Sequence, residues 1–223
     1  MCRSILLLVL LPVWLLSATD FVKESERRIP VAATVDVLVV GGTTGGVAAA
    51  VSAAQNRASV FLIAAEPYLG ADLCAHNRLW YEESGKPESE LARTLLAPDM
   101  AYEEITPGEA GSSRSLFPAA PYERPPMRPL HIKKTLDEAL LDNGVQFLFS
   151  SYATEVLRDA DGNLAGVVMA NRAGRQAIIA KVVIDATERA SLARMAGAEF
   201  SAYPKGETEF RRIVLSPKVR TGP

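Results

Sequence analysis

Four glycines and two threonines connect an apolar segment to an alanine-rich segment within residues 35–55, which read VDVLVVGGTTGGVAAAVSAAQ. Residues 35–40 are apolar except for Asp36 and mostly β-branched, which is typical of a strand buried on both faces of a parallel sheet. Residues 47–55 predict a helix whose alanines permit close packing on such a sheet. The glycines between them allow the backbone to approach another group without interference from a Cβ atom.

The predicted helix begins directly at the glycine turn, and this position determines which ligand the turn can hold. Free amides and the positive dipole end of a helix N-terminus favour an anion, and a diphosphate is the anion we expect there. Residues 59–63 predict a second strand, which completes the pattern of a dinucleotide-binding βαβ unit with a right-handed crossover. No Lys-Ser or Lys-Thr pair follows the glycines, so a Walker A loop is excluded.

Two positions depart from the G-x-G-x-x-G pattern of such units. Thr43 stands at the second glycine position, where its Cβ would crowd a phosphate although its hydroxyl could donate to one. Ala64 stands where the second strand normally ends in an acid, and Glu66 follows two residues later. Glu66 is a candidate for the ribose hydroxyls, with a solvated loop carboxylate as the alternative. An α/β turn without a ligand is the alternative interpretation of the whole motif.

Length and composition favour one main globular domain. The chain has 223 residues, of which 48% are hydrophobic and 22% are charged, and its formal net charge is -2. These values argue against a disordered chain and against a nucleic-acid partner.

The N-terminus has the pattern of a secretory signal peptide. Arg3 precedes an apolar run over residues 5–16, and small residues follow it, so residues 1–18 are interpreted as the signal. The run is short for a membrane span, which takes about 20 residues. We therefore predict export to the periplasm or the extracellular space, with an uncleaved membrane anchor as the alternative. Cleavage would leave Cys74 as the single cysteine, without an internal disulfide.

The remaining chain predicts a linker over residues 19–33 and a folded domain over residues 34–200. Residues from about 80 to 130 are rich in Pro, Gly, Ser and charge, and are interpreted as a partly irregular insertion. A helix is predicted over residues 131–143, and strands over 145–149, 152–157, 164–170 and 176–184, which we expect to form a meander of antiparallel hairpins. A final helix is expected to end at Gly197.

Three segments together carry a resemblance to a known family. They are DVLVVGGTTGGVAAAVSAA, VFLIAAEPYLGADLC, and the stretch from HIKKTLDEALL to VVIDAT. They resemble the N-terminal part of FAD-dependent oxidoreductases of the glutathione-reductase-like flavoprotein superfamily, and the loop PYLGADLCAHNRLW looks most like exported bacterial members. The resemblance implies an α/β fold, a Rossmann-like three-layer domain with a parallel sheet and an antiparallel β-meander, and it implies FAD as the cofactor.

The resemblance also implies cofactor contacts at particular positions. The glycine turn matches the pyrophosphate loop, the end of the last strand matches an Ala-Thr pair that approaches the cofactor, and the first meander strand matches a position of adenine contact. Glu188 replaces the glycine that usually follows the Ala-Thr pair. The implied cofactor-binding residues are Gly41, Gly42, Thr43, Thr44, Gly46, Glu66, Ala153, Ala186 and Thr187.

Several other residues are candidates for the redox end of the site. They are Leu69, Gly70, Cys74 and His76 in the loop after the second strand, with core packing or turn capping as the alternative. Four arginines are candidate clamps for an acidic substrate: Arg78, Arg114, Arg124 and Arg128. The alternative is that they belong to a solvated surface. No catalytic residue and no metal site is predicted.

The resulting hypothesis is an exported FAD-dependent oxidoreductase that acts on a small-molecule redox substrate. Residues 201–223 show no clear strand or helix, so the chain is expected to be truncated or partial and to lack a substrate domain. The alternatives are a non-catalytic nucleotide-binding remnant and an NAD(P)-binding Rossmann protein. Substrate, electron acceptor and oligomeric state are not predicted.

Overall fold

The structure is a computed structural model that describes residues 28–76, 89–96, 127–202 and 204–207, together with Glu26, Leu79 and Pro87. Its strands are β1 Val31–Val40, β2 Val60–Ile63, β3 Gln146–Leu148, β4 Tyr152–Arg158, β5 Leu164–Asn171 and β6 Gly174–Asp185. Its helices are α1 Thr44–Gln55, α2 Ala71–Cys74, α3 Glu90–Leu95, α4 Pro129–Asp142 and α5 Ser191–Ala196. The predicted signal peptide and most of the predicted insertion and C-terminal tail lie outside the described residues.

The strands form one six-stranded sheet in the order β3-β2-β1-β6-β5-β4. β3, β2, β1 and β6 form the parallel part of the sheet. β6 also pairs with β5, and β5 pairs with β4, in an antiparallel meander. The predicted α/β fold with a parallel sheet and a meander is therefore confirmed. The prediction that residues 145–149 belong to the meander is wrong, because β3 pairs with β2. α4 provides the crossover that a parallel connection needs.

Two apolar clusters divide the interior into layers. One joins β1 and β2 to α1 and α4, with Val39, Leu62 and Leu136 fully buried in it. The other lies on the opposite face of the same strands and includes Val167 and Met169 of β5. α5 contributes to this second cluster. The parallel strands are thus covered by helices on one face and by the meander with α5 on the other.

The first strand and the first helix both begin earlier than the sequence predicts. β1 begins at Val31, inside the predicted linker, because its first residues pair with β6 from Ala177 onward. α1 begins at Thr44 instead of Val47, because the Thr43 hydroxyl caps its first turn by accepting from the Gly46 N–H at 3.1 Å. Such a cap offsets the low helix propensity of the two glycines that follow.

None of the helices in the described part of the chain combines the length with the apolar character that a membrane span requires.

Candidate dinucleotide site

A cleft opens where the carboxyl ends of β1 and β6 meet the beginning of α1. Its volume is ≈ 670 Å³, and its lining includes Thr43, Gly45, Gly46, Asp72, Ala186 and Thr187. β2 lies on one side of β1 and β6 lies on the other, so the strand order reverses at this point. Ligands of open α/β sheets bind in the crevice at such a reversal, which makes this cleft the candidate site.

Close internal contacts require glycine at both ends of the turn. Gly41 has a φ of +124°, and a Cβ atom there would lie 2.3 Å from the Ala186 carbonyl oxygen. A Cβ atom on Gly46 would lie 2.2 Å from the Gly41 carbonyl oxygen and 3.0 Å from the Ala186 Cβ. The close approach of β1, α1 and the end of β6 therefore depends on these two glycines.

Gly42 and Thr43 also make contacts within the protein. The Gly42 carbonyl accepts from the Gly70 N–H at 2.8 Å, and a Cβ atom on Gly42 would lie 2.8 Å from the Cβ of Ala64. The Thr43 hydroxyl donates to the Ala186 carbonyl at 3.1 Å while it accepts from Gly46. Its hydrogen is therefore directed at the residue that follows β6, which differs from the expectation that it could donate to a phosphate.

Three main-chain N–H groups of the turn have no acceptor within the described residues. They belong to Gly42, Thr43 and Gly45. Unpaired N–H groups at the first turn of a helix are satisfied by side chains, water or a ligand, and they favour an anion. Thr43 and Gly45 line the cleft, so two of these donors are placed to bind a phosphate there.

Gly45 lines the cleft but is not required by packing. A Cβ atom there would meet only the Thr43 Oγ1, at an ordinary contact distance of 3.9 Å. Glycine inside a helix costs roughly 0.5–1 kcal/mol relative to alanine, and the protein's own contacts do not explain that cost. The missing side chain keeps the cleft open beside an unpaired N–H group. This is the feature that a backbone needs for close approach to a diphosphate.

Asp72, the second residue of α2, already contacts the first turn of α1. Its Oδ1 accepts from the Thr44 N–H at 3.0 Å, and its Oδ2 accepts from the Thr44 hydroxyl at 2.6 Å. A carboxylate is favoured at a helix N-terminus for the same reason as a phosphate. The protein thus places one of its own anions beside the unpaired donors of the turn.

Asp185, the last residue of β6, organises the other wall of the cleft. Its carboxylate accepts from the Thr187 N–H and hydroxyl at 2.9 and 2.7 Å, and from the Ala193 N–H of α5 at 2.8 Å. Burial opposes ionisation of this group, but the hydrogen bonds from Thr187 and Ala193 outweigh it and lower the pKa of the Asp185 carboxyl. The charged carboxylate therefore holds the β6–α5 connection in place.

Replacing Asp185 by Asn is expected to loosen this connection at neutral pH. Because the folded-state pKa is lowered, the charged carboxylate contributes stability above its unfolded pKa of about 4 and loses that contribution at lower pH. Urea unfolding should show a loss of about 1–2 kcal/mol at pH 7 and a smaller difference at pH 3. Asp161→Asn in the exposed β4–β5 turn is the charge-matched control. A deficit of equal size at both pH values would contradict the role of the charge.

The remaining cofactor positions implied by the resemblance lie in different surroundings. Ala186 and Thr187 line the cleft. Glu66 is exposed and lies outside the lining, with its carbonyl accepting from the Ser150 N–H at 3.3 Å. Ala153 packs on the second apolar cluster, also outside the lining. Contact of Glu66 and Ala153 with a cofactor stays a prediction.

The candidate residues for the redox end of the site also lie in different surroundings. Leu69 is fully buried, and Gly70 has a φ of +76°. The Cys74 thiol is half-buried, and this burial raises its pKa. The His76 Nε2 lies 3.7 Å from Glu188 Oε1, and both residues line the cleft. Among the arginines, Arg128 directly precedes α4, whereas the other three named from the sequence lie outside the described residues.

Sequence reasoning did not assign Gly45, Asp72 or Asp185 to the site. Gly45 belongs to the glycine turn, but the first and last glycines of the G-x-G-x-x-G pattern fall on Gly41 and Gly46. Asp72 and Asp185 approach the cleft from α2 and β6, and no local spacing relates them to the turn. For Asp185, its position at the carboxyl end of a buried strand was the available signal.

Solved structures with a similar fold are known. The chain shares its fold with THI4 of Thermovibrio ammonificans, at 18% identity and a TM-score of 0.50 over 74% of this chain and 64% of that one. It also resembles a geranylgeranyl bacteriochlorophyll reductase-like protein of Thermoplasma acidophilum, at 22% identity and a TM-score of 0.50 over 75% and 43% of the two chains. The chain thus spans less than two thirds of either structure. No curated protein sequence matches it.

The match to a protein family covers most of the chain. The family model described as FAD dependent oxidoreductase matches residues 36–212. This range contains residues 36–40 of β1, the glycine turn, the meander and the complete lining of the cleft. FAD is the cofactor that such a match supports, and the chain belongs to the FAD dependent oxidoreductase family.

Proposed function

We propose that the chain binds FAD in the cleft at the start of α1 and serves as the cofactor-binding part of a flavin-dependent oxidoreductase. The observation that carries this proposal concerns Gly45. Its N–H group has no acceptor among the residues that the structure describes, and packing does not require the absence of a side chain there. Family membership supports FAD over other dinucleotides.

The described residues would hold the cofactor mainly through main-chain groups. We assign the diphosphate to the amides of Gly42, Thr43 and Gly45, and the walls of its site to Ala186 and Thr187. Bound FAD supplies hydride or electron transfer between a donor and an acceptor, while the protein supplies orientation and electrostatics. Asp185 keeps Thr187 in place through the hydrogen bonds described above. The proposed substrate is a small redox-active molecule.

The finer parts of the sequence interpretation extend this proposal. We propose that the protein is an exported member of the glutathione-reductase-like superfamily, and that its catalytic unit includes a substrate domain beyond the described residues. The signal pattern in residues 1–18 supports export. The chain covers 64% and 43% of the two similar structures, which extend beyond the matched part.

Flavin binding is tested by reconstitution of the full chain. The protein is mixed with excess FAD, desalted and examined by absorbance and flavin fluorescence, with NAD and riboflavin in parallel. We expect retained FAD with visible flavin bands, no retention of NAD, and weaker retention of riboflavin because it lacks the diphosphate. Failure to retain FAD, or equal retention of riboflavin and FAD, would contradict a cofactor site built on the glycine turn.

A further inference from the structure

We propose that Asp72 is an internal competitor of the cofactor diphosphate and must release Thr44 when FAD binds. This inference rests on the proposed FAD site and goes beyond it, because it assigns the cleft a built-in contact that opposes cofactor entry. Both oxygens of the Asp72 carboxylate are held by Thr44, one by its main-chain N–H and one by its hydroxyl.

The position of Thr44 makes this contact relevant to the cofactor. Thr44 lies between Thr43 and Gly45, whose N–H groups have no acceptor within the described part of the chain. A diphosphate bound to those two amides must lie next to the Asp72 carboxylate, which Thr44 contacts. An anionic diphosphate and an ionised carboxylate cannot share this place without strong repulsion, because like charges a few Å apart repel.

The anchoring of α2 indicates how the contact could open. The Gly70 N–H donates to the Gly42 carbonyl at 2.8 Å, and a Cβ on Gly70 would lie 2.8 Å from Leu136 Cδ1 and 2.9 Å from Ile132 Cγ2. The backbone that leads into α2 is therefore held against α4 and the glycine turn. Rotation of the half-buried Asp72 side chain is the smallest change that frees Thr44.

The other carboxylates at the cleft contact different partners. Asp185 and Glu188 also line the cleft. The Asp185 carboxylate is occupied by hydrogen bonds from Thr187 and Ala193, and Glu188 lies opposite His76. Among the residues that the structure describes, Asp72 is the carboxylate that directly contacts the first turn of α1. Removal of its charge should therefore affect an anionic ligand more than a neutral one.

The test compares FAD affinity in the wild-type full chain, in Asp72→Asn and in the charge-matched control Asp161→Asn. Asn preserves the size of Asp72 and a carbonyl acceptor for the Thr44 N–H, so this variant is expected to fold; Asp72→Ala serves as a second variant. We expect FAD to bind Asp72→Asn about tenfold more tightly than the wild type, a factor that corresponds to about 1.4 kcal/mol. Asp161→Asn should bind FAD like the wild type.

Two further readouts separate competition from a purely structural role. ADP affinity should rise in Asp72→Asn while adenosine affinity stays unchanged, because only ADP carries the diphosphate. The gain for FAD should shrink as NaCl is raised from about 0.05 to 0.5 M, since salt screens the repulsion. Equal or weaker FAD binding by Asp72→Asn would overturn the inference and leave the proposed function intact. Absence of FAD binding in every protein would overturn both.

Discussion

Replacement of Gly46 by Val is expected to abolish FAD retention and to destabilise the folded chain. Even the first atom of a side chain at this position would lie 2.2 Å from the Gly41 carbonyl oxygen. That oxygen belongs to the backbone of the turn, so α1 must move away from β1 to relieve the clash. We expect a loss of about 3 kcal/mol or more in the free energy of unfolding, at the upper end of overpacking effects.

The measurement for Gly46→Val combines urea unfolding with flavin content after reconstitution. Gly144→Ala is a suitable control, because its added Cβ would meet no atom within 4 Å even though its φ of +66° also favours glycine. The control should lose stability through backbone strain alone and should retain FAD. If Gly46→Val keeps the flavin content of the wild type, the close approach of α1 to the turn is not what holds the cofactor.

Replacement of Gly45 by Ala is expected to change stability and cofactor affinity in opposite directions. Alanine at this helical position meets no close atom, so the free energy of unfolding of the cofactor-free chain should rise by about 0.5–1 kcal/mol. The same methyl group would stand in the cleft beside the unpaired N–H of Gly45. FAD affinity should therefore fall by about tenfold or more, since the diphosphate needs close approach to this backbone.

Thermal unfolding with and without FAD measures both effects in one experiment. Gly45→Ala should show a higher midpoint than the wild type without FAD and a smaller upward shift when FAD is added. Comparison with Gly46→Val is informative, because the two adjacent glycines have different roles. Gly46 is needed for packing, and Gly45 is needed for ligand binding. An unchanged FAD shift in Gly45→Ala would contradict the assignment of that residue to the diphosphate.

Local sequence patterns were sufficient for most of the fold. The β-branched run before the glycines and the alanines after them predicted a strand and a closely packed helix, and β1 and α1 occupy those segments. The hairpin turns predicted β4, β5 and β6 in the same way. The strand at residues 146–148 was assigned to the wrong neighbour. Its pairing partner is decided by the crossover through α4 and not by its own short apolar pattern.

The candidate site was harder to predict because contacts distant in sequence build half of it. The glycine turn has a local signature, and the close contact between Gly46 and the Gly41 carbonyl oxygen lies within it. Asp72 and Asp185 reach the cleft only after α2 and β6 have packed against the turn. A side-chain hydrogen bond across 28 residues, such as that between Asp72 and Thr44, leaves no periodic signal in the sequence. Gly45 belongs to the glycine turn in the sequence, but its role follows only from the space around it in the structure.

The most direct test of the account is a crystal structure of the full chain grown with excess FAD. We expect the diphosphate oxygens within about 3 Å of the main-chain nitrogens of Gly42, Thr43 or Gly45, with the flanking walls formed by Ala186 and Thr187. A structure in which FAD lies elsewhere, or in which protein side chains cover these amides at saturating FAD, would contradict the assignment of the glycine turn as the cofactor site.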